Sequence, residues 1–363
     1  MLSAGFTTIG SAPPVPNAAF IAVPAPRVAR GPAVARGCRV TEAGGESRID
    51  FHMGGGAVLL GHAHPAVEAA VAEGGPGDRA AGALAELIPG RVKAVFCAEE
   101  SQALPAAVEA ARRITGRRRA AVWEPRSPSI EDEGGVAALI VDPLGLAVTE
   151  LREARACADR MAALLIFDEG TSSFRVHHRG AQGLSAVRPD MAVFGAALAN
   201  GRPIGAVVGG KDALAALDPE DLPAPRTDSL AAAAATLGLL IEQPVAAQLR
   251  VLGAEIQTEV EALVKSAGAS RLFTLAGDPT LPTPFFAAPA LEGLWLREMS
   301  DRGLIVLGPH ALSAAHGDAE AAALIEAYAS LLPTVMARSL AEIMGRPRPL
   351  FDPLFSIAPE GRA

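Results

Sequence analysis

The chain has 363 residues, half of them hydrophobic and a fifth charged, with a net charge of -8. That length and apolar share support a large packed core and exclude a disordered chain. The acidic balance leaves no basic footprint for nucleic acid or an anionic membrane surface, and the longest mostly apolar run, Leu230 to Ile241, is too short to span a bilayer and reads as a buried helix.

The opening "MLSAGFTTIGSAPPVPNAAF" has no basic segment followed by an apolar core, so a cytoplasmic location is expected. Residues 1 to 36 are rich in Pro, Ala and Val and read as an extended arm. "CRVTEAGGESRIDF" (38–51) predicts a β-hairpin turning at Gly44-Gly45, and a helix starts after Pro65. Strands follow at 93–98, 136–143 and 163–169, separated by helices over Ser101 to Thr115 and Leu151 to Ala162. "DMAVFG" (190–195) and "IGAVVGG" (204–210) are two further strands. These are continuous apolar runs and not alternating ones, which suits a sheet covered on both faces. Their βα order predicts an α/β fold with a doubly wound, mostly parallel sheet. A long helix over about Ser229 to Ile241 and a charged helix near 245–266 come next. Strand-like "LFTLAG" and "LIVLG" and a helix from Asp318 to Leu332 then predict a smaller α+β C-terminal domain. The expected division is an arm and hairpin (1–50), a large α/β domain (51–245), a small α+β domain (246–340) and an extended tail (341–363).

Few side chains stand out for chemistry. Cys38, Cys97 and Cys157 are widely spaced and odd in number, which predicts reduced, buried thiols and no zinc site. His62 and His64, in "GHAH" before Pro65, read as structural, and no metal is expected. His177 and His178 fall in a polar loop and are expected to be exposed. "MGGGAVLLG" (53–61) lacks the Gly-Lys-Ser/Thr of a P-loop. Ser172 and Ser173 follow Asp168 and Glu169, with no histidine placed by sequence to activate them. Lysine is scarce: among 32 basic residues only Lys93, Lys211 and Lys265 carry an amine.

Several stretches then carry a resemblance in order along the chain: "LLGHAHPAVEAAV" (59–71), "ALAELIPGRVKAVF" (83–96), "AARRITGR" (110–117), "LLIFDEGTSSFRVHHRGAQGLSAVRPDMAVFG" (164–195), "GRPIGAVVGG" (201–210) and "LSAAHGDAEAAALIEAY" (312–328). Together they resemble the class III aminotransferase family, in particular its glutamate-1-semialdehyde 2,1-aminomutase branch. The resemblance implies the architecture of a fold-type I pyridoxal phosphate (PLP) enzyme, dimeric, with its site at the subunit boundary. It implies that Asp168 is the partner of the coenzyme's pyridine nitrogen.

Other positions depart from the family pattern. The Schiff-base lysine position falls on Ala196. The phosphate-binding turn falls on "AEESQA" (98–103), which puts Glu99 and Glu100 where a phosphate would sit. Two carboxylates there would repel a phosphate, while the same residues at a helix N-terminus stabilise it by ~0.3–1 kcal/mol each. The aromatic segment expected between Val122 and Val136 is absent, and Thr227 stands at the partner-subunit phosphate contact without its following turn.

The expectation is therefore no cofactor: PLP binding lost, or at most non-covalent. Three functions stay open. The first is a non-catalytic pseudoenzyme, a homodimer or the partner of an active paralogue. The second is a repurposed enzyme of specialised metabolism whose Asp168, Glu169, Glu99 and Glu100 do acid–base work on a small amino or keto acid. The third is an aminotransferase-type enzyme with non-covalent PLP. A partly collapsed cleft is expected, closed by 124–135 and "AEESQA", with Asp168 bonded to backbone N–H groups or to hydroxyls such as Thr171 or Ser172. A persisting polar pocket is the other outcome.

Overall fold

In the first described ladder, Gly45 takes φ 85° between two short strands, a left-handed conformation that a side chain would strain. The computed structural model describes residues 34–74, 78–88, 90, 93–125, 135–218 and 222–337. Strands β1 (Val34–Arg36), β2 (Arg39–Thr41) and β3 (Ser47–Asp50) run antiparallel. The expected hairpin is β2 and β3. The predicted arm up to residue 33, the tail from 338 and most of the 124–135 loop lie outside the described residues.

Residues 54–250 form one unit. It begins with helices α1 (Pro65–Glu73) and α2 (Asp78–Leu87), then β4 (Lys93–Cys97), α3 (Glu100–Thr115), β5 (Arg119–Val122) and β6 (Val136–Val141). Helix α4 (Val148–Arg160), β7 (Leu164–Glu169), the short helices α5 (Ser173–Val176) and α6 (Gly180–Ser185), and β8 (Met191–Phe194) follow. A 3-10 turn at Ala196–Ala199 leads to β9 (Gly205–Gly209), α7 (Lys211–Ala215) and α8 (Thr227–Glu242). Six strands make one sheet in the order β4-β9-β8-β7-β6-β5. Strands β5 to β8 are mutually parallel, and β9 runs antiparallel to both its neighbours. Strand β4 therefore points the same way as β5 to β8.

Every residue of β6 is buried, as a continuous apolar run on a two-sided sheet requires. Helix α3 lays Ala103, Ala106, Ala107, Ala110 and Ala111 against Cys97, Ile166, Val193 and Val207, small side chains that let helix and sheet approach closely. The predicted strand to residue 143 stops at Val141, because the Asp142 carboxylate accepts the Leu144 N–H at 2.9 Å and turns the chain. Strand β5 is missed by the sequence reading: it is four residues long and follows an arginine run. Helix α8 buries Ala231, Ala232, Ala233, Thr236, Leu237 and Leu240, in keeping with the reading of a buried helix.

Helix α9 (Val245–Ser266) carries the chain out of this unit. The second unit joins residues 34–53 to the chain from Val251. It adds β10 (Phe273–Ala276) paired with β11 (Thr283–Phe286), then α10 (Pro289–Asp301), β12 (Leu304–Ile305) and α11 (Asp318–Ala337). Strand β12 pairs in parallel with β3, so the hairpin is part of the C-terminal unit's own sheet. Trp295 and Tyr328 are fully buried at its centre, where Trp295 Nε1 donates to the Tyr328 hydroxyl at 3.2 Å. That hydroxyl lies 2.7 Å from Nε2 of buried His310. Cys38, Cys97 and Cys157 are free and buried, as expected. Among the described residues no single helix is long and apolar enough to cross a membrane, and none of their His, Cys, Asp and Glu side chains form a metal-binding group of three.

Candidate functional site

Parallel strands open a crevice at their carboxyl ends, where ligands of such sheets bind. Four segments meet that edge here: Asp142 after β6, Asp168 near the end of β7, Gly195-Ala196 after β8, and the first turn of α3 after β4. The Glu100 carboxylate accepts the backbone N–H of Ala196 at 3.1 Å. A Cβ on Gly195 would run into that carboxyl group, and one on Gly170 would come within 3.3 Å of Asp168 Oδ1 and also meet Glu100 Oε1. Glycine at 170 and 195 therefore leaves room for both acids.

Asp168 Oδ1 accepts the Gly170 N–H at 3.2 Å, so the backbone partner expected for it is present. Dehydration raises the pKa of Asp168; the same cause raises Glu100 first, with the charge of Asp168 adding to it. Asp142 is pushed to about 6, again by burial of the carboxyl group and then by Asp168. Glu100 and Asp142 keep exposed residue surface, so the described walls have not closed over them. A cavity of about 350 Å³, described below, and another of about 280 Å³ beside Lys265 both lie away from this crevice. Most of the 124–135 segment expected to close the cleft lies outside the described residues.

The structure brings together Asp168, Glu100 and Ala196, and adds Asp142, which sequence reasoning missed. An acid closing a buried strand just before Pro143 was the available signal. It does not bring in Glu169. Side chains alternate across a strand, and Glu169 faces the other side, fully buried, where its Oε2 accepts the Ala181 N–H at 2.8 Å and Ser172 Oγ at 3.4 Å. Its Oε1 has no hydrogen-bond partner, and burial raises its pKa to about 8. Ser172 thus serves Glu169 and not Asp168.

Glu99 is the exposed N-cap of α3, its N–H accepted by the Gln102 side chain at 3.0 Å, which matches the helix-capping reading. Thr227 is exposed at the start of α8. In the Gly-rich stretch, Asn200 at φ 50° accepts the Leu60 N–H and donates to the Gly61 carbonyl, both at 2.8 Å, while Arg175 donates to the Gly56 carbonyl at 2.7 Å. All three lysines are exposed. Lys93 opens β4 and Lys211 follows antiparallel β9, so both sit at the sheet's amino edge, opposite the crevice.

No family model matches the chain. A glutamate-1-semialdehyde 2,1-aminomutase of Caldivirga maquilingensis is 30% identical over 241 residues, which are 48% of this chain and 56% of that protein. The chain thus spans about half the length of that relative. The aminomutase of Nitratidesulfovibrio vulgaris is 27% identical over 380 residues, covering 81% of this chain and 89% of its own. The PLP internal aldimine form of the FumI protein of Sphingopyxis sp. MTA144 superposes with a TM-score of 0.75 at 23% identity, covering 86% of this chain and 90% of that one. The likeness confirms a fold-type I transaminase architecture with a mixed, mostly parallel sheet.

These findings overturn the expectation of no cofactor and point to PLP. The charge argument behind that expectation took both glutamates as fixed anions inside the phosphate position. Glu99 instead caps α3 from the exposed side, and dehydration favours the neutral form of Glu100. Tested residue by residue, Asp168 fits the pyridine end of the coenzyme. The α3 N-terminus offers backbone donors with Glu100 beside them, and residue 196 offers no amine.

Proposed function

We propose that this chain, which is similar to glutamate-1-semialdehyde 2,1-aminomutases, is an aminotransferase- or aminomutase-like protein whose coenzyme is PLP and which serves as a non-catalytic half of a dimer. Its partner is a second copy or an active paralogue. Bound PLP supplies an electron sink for chemistry at an amino carbon. Using that sink needs a lysine amine to shuttle the proton, and one observation carries the reading: residue 196 presents only its backbone N–H, held by Glu100, while Lys93 and Lys211 lie at the far edge of the same sheet. Asp168 keeps a carboxylate for the pyridine nitrogen, and Gly170 and Gly195 keep the floor of the crevice open.

A second reading is favoured by the three acids at the crevice. Glu100 and Asp142, both raised by dehydration, could donate and accept a proton on a small amino or keto acid beside Asp168. Turnover separates the two. The purified chain, supplied with PLP, is assayed on glutamate-1-semialdehyde and on a panel of amino and keto acids, alone and mixed with an active family member. The first reading expects no turnover alone and a stable complex. Turnover by the chain alone that Glu100→Gln abolishes would replace it with the second.

A further inference from the structure

Around α6 and the loops on either side of it, basic residues line a cavity of about 350 Å³ that the crevice does not use. His177, His178, Arg179 and Arg188 line it together with Gln182 and Gly183, and none of the lining residues is acidic. The two imidazoles stack at 4.3 Å between centroids. Contrary to the exposed loop expected from the sequence, both histidines are half-buried. Gly183 permits this, since a Cβ there would run into the His177 ring. The Arg179 N–H donates to His177 Nδ1 at 3.0 Å, so the neutral ring carries its proton on Nε2 and keeps a donor available.

No ion pair engages Arg179 or Arg188 among the described residues, in a chain whose net charge is -8. Two guanidinium groups without a counter-charge beside a stacked imidazole pair are an arrangement that an anion would relieve. We infer that this cavity binds the phosphate group of a small phosphorylated molecule, with Arg179 and Arg188 as the charged clamps and His177 and His178 as donors. Guanidinium matches phosphate in a two-pronged geometry, and the volume falls within the range of small-molecule sites, leaving room for an organic group beyond the phosphate. Dehydration and the neighbouring His178, Arg179 and Arg250 charges hold His177 below its usual range, and dehydration and Arg179 do the same to His178. A bound phosphate would act in the opposite sense on both.

The test uses the full chain and follows the imidazole resonances by NMR, assigned with His177→Gln and His178→Gln. Inorganic phosphate, then glycerol phosphate, replaces chloride at constant ionic strength. Both probes are expected to shift the two resonances saturably and to raise both histidine pKa values. Tighter binding of glycerol phosphate would identify a phosphate ester as the ligand class, and equal binding would identify free phosphate. The double variant Arg179→Ala, Arg188→Ala, whose sites are exposed, should weaken binding at least tenfold with an unchanged unfolding temperature. Shifts that track ionic strength alone, phosphate uptake that leaves both resonances in place, or equal affinity in the double variant would each overturn the proposal.

Discussion

Glu169→Gln separates a structural acid from a crevice acid. Folding raises the pKa of Glu169 from 4.5 to about 8, chiefly through burial. Between those values the folded chain holds a proton that the unfolded chain has released. Its stability therefore falls as pH rises through the window, and the full cost is reached above about pH 8. At 1.36 kcal/mol per pH unit, the gap between 4.5 and about 8 amounts to at most about 5 kcal/mol. Glutamine keeps the shape and the acceptor for the Ala181 N–H and Ser172, and it cannot ionise. The variant should match the parent within about 1 kcal/mol at pH 5 and exceed it by several kcal/mol at pH 9. Urea unfolding at each pH, with m unchanged, measures the difference. A difference that does not change with pH, or a parent that gains on the variant toward pH 9, would show that Glu169 is ionised against a partner and refute the reasoning.

Other predictions concern the crevice, the second unit and the assembly. Glu100→Gln should tighten PLP binding at pH 8 by about tenfold, or about 1.4 kcal/mol, with the gain narrowing as pH falls and Glu100 protonates; fluorescence titration giving equal affinities at every pH would count against it. Gly253→Ala would drive a Cβ into the Pro279 carbonyl, so a loss of about 1–3 kcal/mol is expected. A melting temperature within 1 °C of the parent would show that α9 can shift. Sedimentation should find a dimer at micromolar concentration, with an interface of about 2,000 Å² or more if it is obligate. A stable monomer would remove the partner role.

Periodicity made the sheet legible, and the same property hid half of the site. The unbroken run of β6 and the glycine pair after β2 left little freedom, and both appear where expected. Asp168 was legible as an acid near the end of a buried strand. Glu169 stood beside it in sequence, and only the alternation of the pleat separates them: one reaches the crevice, the other a buried pocket with Ser172 and Ala181. Glu100 and Ala196 are 96 residues apart, so their hydrogen bond is a product of strand order that no local pattern reveals. Asp142 was read as part of the strand to residue 143; it turns the chain instead, and its position at the crevice adds a second role. The coenzyme was misjudged because formal charges were counted before their surroundings were known.

Lysine chemistry at the crevice has one economical route. Arginine cannot supply it, because a guanidinium does not give up its proton, and only three of the 32 basic residues are lysines. Ala196→Lys would place an amine at the crevice, but the residue's own N–H is already bound to the Glu100 carboxylate at 3.1 Å. An ammonium starting from that backbone would find the carboxylate within reach, and pairing favours the charged form, which is not a nucleophile. Substitutions in direct contact of this kind are not additive. Ala196→Lys alone should therefore capture PLP weakly at pH 8, read as the mass added after borohydride reduction. Combined with Glu100→Gln it should capture at least tenfold more, beyond what either change achieves alone. Equal capture by the single and double variants would mean that Glu100 does not govern the amine, and the acid would then be only a cap on the crevice floor.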